Sequence, residues 1–126
     1  MSDVKILGRK DLFKPYVRRY GRSHFPNLGG WVAYQSLSER ERQNLEHQIQ
    51  AATSSMDDQR EALKQRQVRT IVACQVDDMK QLIWTTDDVL PLMDMLDAGD
   101  AEDFAAEINA HCLQRGREIK RFVEGN

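Results

Sequence analysis

The chain has 126 residues, of which 40% are hydrophobic and 30% charged, and its formal net charge is −2. These values are typical of one soluble globular domain with its own core, and they leave no room for a second domain. The longest apolar runs are far too short to cross a bilayer, which excludes a membrane-spanning protein.

The charges are unevenly distributed along the chain. Residues 1–25 carry seven Lys or Arg against two carboxylates, whereas residues 77–107 carry ten carboxylates against Lys80 alone. Such asymmetry bears on association and not on fold. One interpretation is that the basic segment of one copy lies on the acidic segment of the next, giving a salt-sensitive homo-oligomer.

Residues 1–24 are predicted to form a basic, aromatic N-terminal arm, with a short turn of helix near Pro15. Its cations alternate with aromatic rings, as in proteins that bind nucleic acids through phosphate and base contacts; the cations are Lys14, Arg18, Arg19 and Arg22. Alternatively, the rings dock on the domain and leave the cations solvated or paired. A pI near 5.9 and the acidic segment oppose a nucleic-acid partner.

Residues 25–126 are predicted to form one helical domain that begins with a turn and a short strand. Pro26 and Gly29 favour a tight turn, and residues 31–34 favour a half-buried strand. Since side chains alternate along a strand, Trp31 and Tyr34 lie on opposite faces and one of them is expected to be exposed. An exposed aromatic side chain there would be an anchor for a partner.

Three helices are predicted to follow, each with a recognisable start. Ser38 and Glu41 have the spacing of a capping box, so the first of these helices begins at Glu39. A second is expected from about residue 58 to the mid-seventies, with Ser55 or Asp57 as its cap, although a strand over residues 70–76 is also compatible with the pattern. After a short extended element at residues 82–84, with Trp84 as a core anchor, a third begins at residue 87 or 88 behind a threonine cap.

That third helix is expected to end near Gly99, and Asp100 to cap the last helix. The last helix carries an apolar stripe, formed by Phe104, Ile108, Cys112, Ile119 and Phe122. The predicted fold class is mainly α, a single multi-helical domain with a small β element whose strands come from near Trp31 and Leu82.

No pattern in the chain indicates catalysis, a cofactor or a metal. Ser23 and His24 follow Gly21 without the second glycine of a hydrolase motif, and Gly29-Gly30 is followed by no phosphate-binding residues. Carboxylates in residues 94–103 lack the alternate spacing of a calcium loop. The cysteines lack metal-ligand spacing, and with no apolar secretory signal in the sequence we expect reduced thiols in a cytoplasmic compartment. The sequence therefore predicts a protein that is not an enzyme.

The order of these segments resembles a known family. The Gly29-Gly30 turn, the aromatic strand and the "LSERER" stretch at residues 37–42 resemble the small tail assembly chaperones of long-tailed bacteriophages. Residues 68–78 are similar to the apolar helix and acidic turn of that family, and residues 82–89 to the extended stretch and capped helix that follow. The resemblance covers roughly residues 25–110.

This resemblance implies a function in tail assembly. Such chaperones bind the tape measure protein in the host cytoplasm, keep its helical, apolar segments soluble, help recruit major tail protein, and often self-associate. The work requires an apolar groove or patch with charged surroundings. We place that surface on the acidic segment and on the stripe of residues 104–122; the partner-binding candidates are Trp31, Tyr34, Phe104 and Ile108. A small nucleic-acid-binding or regulatory protein, or a simple adaptor, remains the alternative.

Overall fold

Helices dominate the chain, and a small antiparallel sheet lies against them. The computed structural model describes residues 4–113. Within that range the helices are α1 (Arg9–Leu12), α2 (Glu39–Thr53), α3 (Gln59–Cys74), α4 (Val89–Met95) and α5 (Ala98–Ile108), and the strands are β1 (Tyr20–Phe25), β2 (Gly30–Gln35) and β3 (Gln75–Val76). A π-helical turn, Asn109–Leu113, extends α5. The predicted class, a mainly α single domain with a small β element, is confirmed.

Strand β1 begins inside the segment that the sequence predicts as the N-terminal arm. The sheet has the order β1-β2-β3, and β1 pairs with β2 in an antiparallel hairpin in which His24 faces Trp31 across the strands. Residues 20–24, which the sequence analysis placed in the arm, thus form most of a strand of the sheet. The sequence hid this strand because its inward positions Gly21 and Ser23 carry no apolar side chain, and its pairing is visible only once β2 lies beside it. The hairpin turn at Pro26–Leu28 is as predicted, and Gly29 has the positive φ of 82° that a turn glycine permits.

The strand expected near Leu82 is instead β3, which immediately follows α3. Val76 of β3 pairs with Ala33, and Leu82 makes only an isolated bridge to Val76. Between them, the Asp77 carboxylate accepts hydrogen bonds from the backbone N–H groups of Met79 and Gln81, at 2.8 and 3.0 Å. That carboxylate organises the turn without a glycine, and Lys80 adopts a left-handed φ of 65° within it.

The capping box at the start of α2 is present as predicted. Ser38 Oγ accepts from the Glu41 backbone N–H at 3.3 Å, and the Glu41 carboxylate accepts from the Ser38 N–H at 2.9 Å. Helix α3 is helical through Cys74, and its cap is Asp58, one residue beyond the expected position. The strand alternative for residues 70–76 is realised only in its last two residues, because α3 passes directly into β3.

The boundaries around α4 and α5 differ from those predicted. A 3₁₀ turn, Thr86–Asp88, precedes α4, and α4 ends at Met95. Asp97 then caps α5, accepting from the N–H groups of Gly99 and Asp100. The prediction of Gly99 as a helix-ending residue and of Asp100 as a cap was therefore wrong, since two aspartates three residues apart are equally good caps by sequence. The first helix was also misplaced: it is α1, Arg9–Leu12, and not a turn at Pro15.

Two clusters of buried side chains form the core. The first lies between the inner face of the sheet, the C-terminal half of α3 and α5, and contains Phe25, Tyr34, Ile71, Cys74, Ala101, Phe104, Ile108 and Cys112. The second joins α3 to α4, and contains Val68, Val72, Val89, Leu92 and Met93. Half-buried Trp84 contacts both clusters, and its indole N–H donates to Gln75 Oε1 at 2.7 Å. Of the predicted stripe, Ile119 and Phe122 lie outside the described residues.

Burial also fixes the state of one cysteine. The apolar surroundings of Cys74 raise the pKa of its thiol to about 12, so it is protonated at neutral pH.

None of the helices in residues 4–113 combines the length and the apolar character needed to cross a membrane.

Candidate partner-binding surface

Trp31 lies on the outer face of the sheet, where it is 66% exposed, whereas Tyr34 on the inner face is 1% exposed. The alternation of strand β2 therefore separates the two aromatic residues as expected and assigns the outward position to Trp31. Its ring is flanked by two side chains of β1. The His24 ring centroid lies 5.2 Å away, and the Arg22 guanidinium carbon lies 5.4 Å from the Trp31 centroid.

A second cation–ring pair extends this surface. Lys80, held by the turn after β3, places its ammonium 4.8 Å from the centroid of the Tyr20 ring. Together the two pairs border an open hollow of about 610 Å³, here called the sheet surface; it is lined by Tyr20, Arg22, Trp31, Ala33, Val76, Lys80 and Ile83, with Asp77 and Asp78 at its margin. Exposed rings with cations above them can bind apolar, aromatic or anionic groups.

The other three partner-binding candidates are core residues. Phe104 is 2% exposed and Ile108 fully buried, and both pack with Tyr34 in the first cluster. The Tyr34 hydroxyl is hydrogen-bonded to Ser23 Oγ at 2.8 Å, and burial raises its pKa. The structure places Tyr34, Phe104 and Ile108 in the core, because the apolar stripe of α5 is covered by the sheet and by α3.

Two of the four predicted arm cations have structural partners. The Arg18 guanidinium donates to the Ser36 carbonyl at 2.7 Å and to the Glu41 carboxylate at 2.9 Å. The hydrogen bond to Glu41 raises the pKa of Arg18, and the same bond lowers the pKa of Glu41. Glu41 thus serves both the capping box of α2 and the arm.

Arg19 joins the arm to the end of the last helix. Its guanidinium donates to the carbonyls of His111 and Cys112 at 3.2 and 3.0 Å, while its backbone exchanges hydrogen bonds with Ser36. Lys14 is exposed, and Arg22 belongs to the sheet surface. The four cations therefore do not form one basic patch.

A groove between α3 and the α4–α5 pair was missed by the sequence reasoning. It encloses about 390 Å³, with α3 on one side and α4 and α5 on the other. The signal was Leu63, a single apolar residue in the polar half of α3, which is 54% exposed. An apolar residue on the uncovered half of an otherwise buried helix indicates a surface that another helix can contact.

The described residues show no arrangement of catalytic or metal-binding groups. The Ser23 hydroxyl is hydrogen-bonded to the Tyr34 hydroxyl and not to His24. His111 Nε2 lies 2.8 Å from the Oε2 atom of Glu107, one helical turn earlier. Among residues 4–113, no three His, Cys, Asp or Glu side chains are grouped closely enough to hold a metal ion.

Comparisons with known proteins agree with this fold. No protein-family model matches the chain, and no curated protein sequence matches it. Among solved structures, the chain is similar to the bacteriophage HK97 tail assembly chaperone, with a TM-score of 0.52 and 12% sequence identity, covering 76% of this chain and 86% of that chain. At this identity the likeness concerns the fold, and it confirms the resemblance that the sequence pattern indicated. The chain has the fold of a bacteriophage tail assembly chaperone.

Proposed function

We propose that this protein is a non-enzymatic tail assembly chaperone, which acts in the host cytoplasm by binding the tape measure protein and helping to recruit major tail protein. The observation that carries the proposal is the shared fold with the HK97 chaperone over most of both chains. The order of sequence segments around Gly29-Gly30 and residues 37–42 supports it independently.

The surfaces of the molecule suit this work. A chaperone of apolar segments needs exposed contact area on a rigid support, and Trp31 is exposed on a strand whose opposite face is fixed in the core. Numerous charged residues around it keep such a protein soluble. Trp31 is therefore the first residue to test.

Co-expression with a tape measure segment tests the proposal directly. We expect the soluble fraction of that segment to rise when the protein is present, and to fall again with Trp31→Ala. Leu28→Ala is the matched control, since Leu28 is also an exposed apolar residue of the same hairpin but lies away from the sheet surface. A tape measure segment that stays insoluble with the wild-type protein would contradict the proposed function.

Nucleic-acid binding is a second candidate, and the two cation–ring pairs of the sheet surface favour it. Bases stack on exposed rings while neighbouring cations contact phosphates. The carboxylates of Asp77 and Asp78 at the margin oppose it. Electrophoretic shift with single- and double-stranded DNA at moderate salt distinguishes the two candidates. A shift that Arg22→Ala and Lys80→Ala abolish would favour nucleic acid.

Self-association through opposite charges is a further part of the proposal. Lys10 and Lys14 are exposed in the arm, and the acidic segment at residues 77–107 offers the complementary charge. Contacts between exposed charges weaken as salt rises. We expect sedimentation to give a larger mass at low salt than at high salt, and the variant Lys10→Glu/Lys14→Glu to remain small. Equal masses for the wild-type protein at both salt concentrations would contradict this arrangement.

A further inference from the structure

The groove between α3, α4 and α5 is a second, separate binding surface. Its floor consists of buried apolar side chains from the second core cluster and its neighbours, namely Val68, Leu92, Met93 and Ala101. Half-buried Leu96 and exposed Leu63 complete the apolar lining. The groove lies on a different set of elements from the sheet surface, and the two share no residue.

One side of the groove presents a stripe of α3 with helical spacing. Arg60, Leu63, Lys64 and Gln67 follow one another at intervals of three, one and three residues, so they lie on one face of the helix. Within residues 4–113, neither Arg60 nor Lys64 forms an ion pair. Two unpaired cations one turn apart therefore flank the only apolar side chain of this stripe.

The opposite side carries the reverse charge. Glu102 of α5 lines the groove there, and in the described part of the chain it has no ion-pair partner. The groove is thus apolar along its floor, positive along α3 and negative at α5. An apolar floor between charged sides is the form of groove that receives an amphipathic helix.

We infer that this groove binds an amphipathic helix of another protein, with apolar side chains in the floor and an acidic flank along Arg60 and Lys64. The inference holds whatever the identity of that partner, and so extends beyond the proposed function. The opposite charges of the two sides also determine the orientation of the bound helix, since a basic flank placed beside α3 would be repelled.

Within residues 4–113, neither α2 nor α5 offers a suitable apolar stripe to a second copy. The apolar stripes of α2 and α5 are buried in the described structure, through Leu45 and Ile49 in α2 and Phe104 and Ile108 in α5. Residues 114–126 carry four Lys or Arg against two Glu, a charge that Arg60 and Lys64 repel. A second copy and the chain's own C-terminal segment therefore fit the groove less well than an acidic-flanked partner.

Synthetic peptides test the charge preference. The probes are two labelled amphipathic helices about 18 residues long, roughly five turns, with the same leucine stripe and either Glu or Lys along one flank. By fluorescence anisotropy we expect the Glu peptide to bind at least about fivefold more tightly, as two exposed ion pairs allow. Arg60→Glu/Lys64→Glu should reverse the preference, and Arg40→Glu, an exposed cation away from the groove, should leave it unchanged.

Leu63 tests the apolar contact. Leu63→Asn should weaken the binding of the Glu peptide by about tenfold or more, as expected for the loss of a leucine that the bound peptide covers. Leu90→Asn is the matched control, because Leu90 is a similarly exposed leucine on α4 that does not line the groove. Thermal melts of both variants should match the wild type, since neither position is buried.

Several results would overturn the inference. These are no binding of either peptide, equal loss with Leu63→Asn and Leu90→Asn, or an unchanged preference in the charge-reversed variant. A lower sedimenting mass for Leu63→Asn would show that a second copy occupies the groove instead. Co-expression separates this inference from the proposed function: a tape measure segment kept soluble by the wild type, together with no binding of either peptide, contradicts only the groove.

Discussion

The alternation of side chains along the strands builds both faces of the β1–β2 hairpin, but the inner face is buried and the outer face is exposed. The inner face, with Phe25 and Tyr34, is covered by α5 and packs against Phe104 at ring-centroid distances of 5.6 and 6.1 Å. The outer face, with Trp31 and Tyr20, is left open in the described structure, where two cations and the ring of His24 lie beside it. The difference lies in what packs against the sheet, since both faces carry aromatic residues.

This comparison separates stability from binding. Rings on the inner face should contribute to the free energy of unfolding, whereas rings on the outer face should contribute to contacts with other molecules. Substitutions on the two faces therefore test whether stability and binding are assigned to different faces.

The largest effect is expected at Tyr34. Tyr34→Ala removes a fully buried ring and leaves Ser23 Oγ without its hydroxyl partner. We expect the free energy of unfolding to fall by about 3–5 kcal/mol, as for other buried aromatic truncations. Urea denaturation followed by circular dichroism measures it, and a loss below about 1 kcal/mol would remove the distinction between the faces.

Gly21 should give the next largest effect. A Cβ atom at Gly21 would stand 2.6 Å from a ring carbon of Tyr34, whereas one at Gly30 of the same sheet meets nothing within 4 Å. Because the Tyr34 ring is buried and cannot move aside, Gly21→Ala should cost about 1–3 kcal/mol. Gly30→Ala is the control and should be nearly neutral; equal effects of the two would mean that the ring relaxes.

Glu41 tests the connection that holds both faces in place, where β2 leads into α2. Glu41→Ala removes the hydrogen bonds to Arg18 and to the Ser38 N–H, and we expect a loss of about 1–2 kcal/mol, chiefly from the cap because the ion pair is partly screened by water. Glu39→Ala, which loses only exposed contacts with Arg42 and Gln43, should cost less.

The same residue predicts a pH dependence. The Arg18 hydrogen bond lowers the pKa of Glu41 in the folded protein from its ordinary value of 4.5. Its contribution is therefore present above the unfolded pKa and is lost as pH falls through the lower folded pKa. In urea titrations the wild type should lose stability below about pH 4.5 more steeply than Glu41→Gln, which keeps the cap and lacks the charge. Parallel curves would contradict this.

Trp31 should give the smallest effect on stability. Trp31→Ala removes a mostly exposed ring, so the free energy of unfolding should change by no more than about 0.5 kcal/mol. Thermal denaturation checks this value, and a loss approaching that of Tyr34→Ala would show that the outer face also supports the fold.

Features set by neighbouring residues could be predicted from the sequence. The capping box of Ser38 and Glu41, the turn at Gly29 and the helical nature of α3 all depend on residues a few positions apart. The alternation of β2 also predicts that Trp31 and Tyr34 face opposite ways. It cannot predict which of them faces the core, because that depends on where α5 packs.

Features that need distant partners could not be predicted. The inward residues Gly21 and Ser23 of β1 are not apolar, so only its register with β2 identifies it as a strand. Arg18 and Arg19 looked like a free basic arm because their acceptors, Glu41 and the carbonyls of residues 111 and 112, are far away in sequence. The groove could not be predicted for the same reason, since its two sides come from α3 and from α4–α5.

The two hydrogen bonds of Arg19 have a consequence for the order in which the chain is completed during synthesis. They join Arg19 to two carbonyl groups that come 92 and 93 positions later in the sequence. They therefore cannot form until residues 111 and 112 have left the ribosome. The hairpin and α2, made much earlier, must wait with the Arg19 side chain unattached. Release of residues 111 and 112 is thus the step that allows the residues before β1 to be joined to the turn that follows α5.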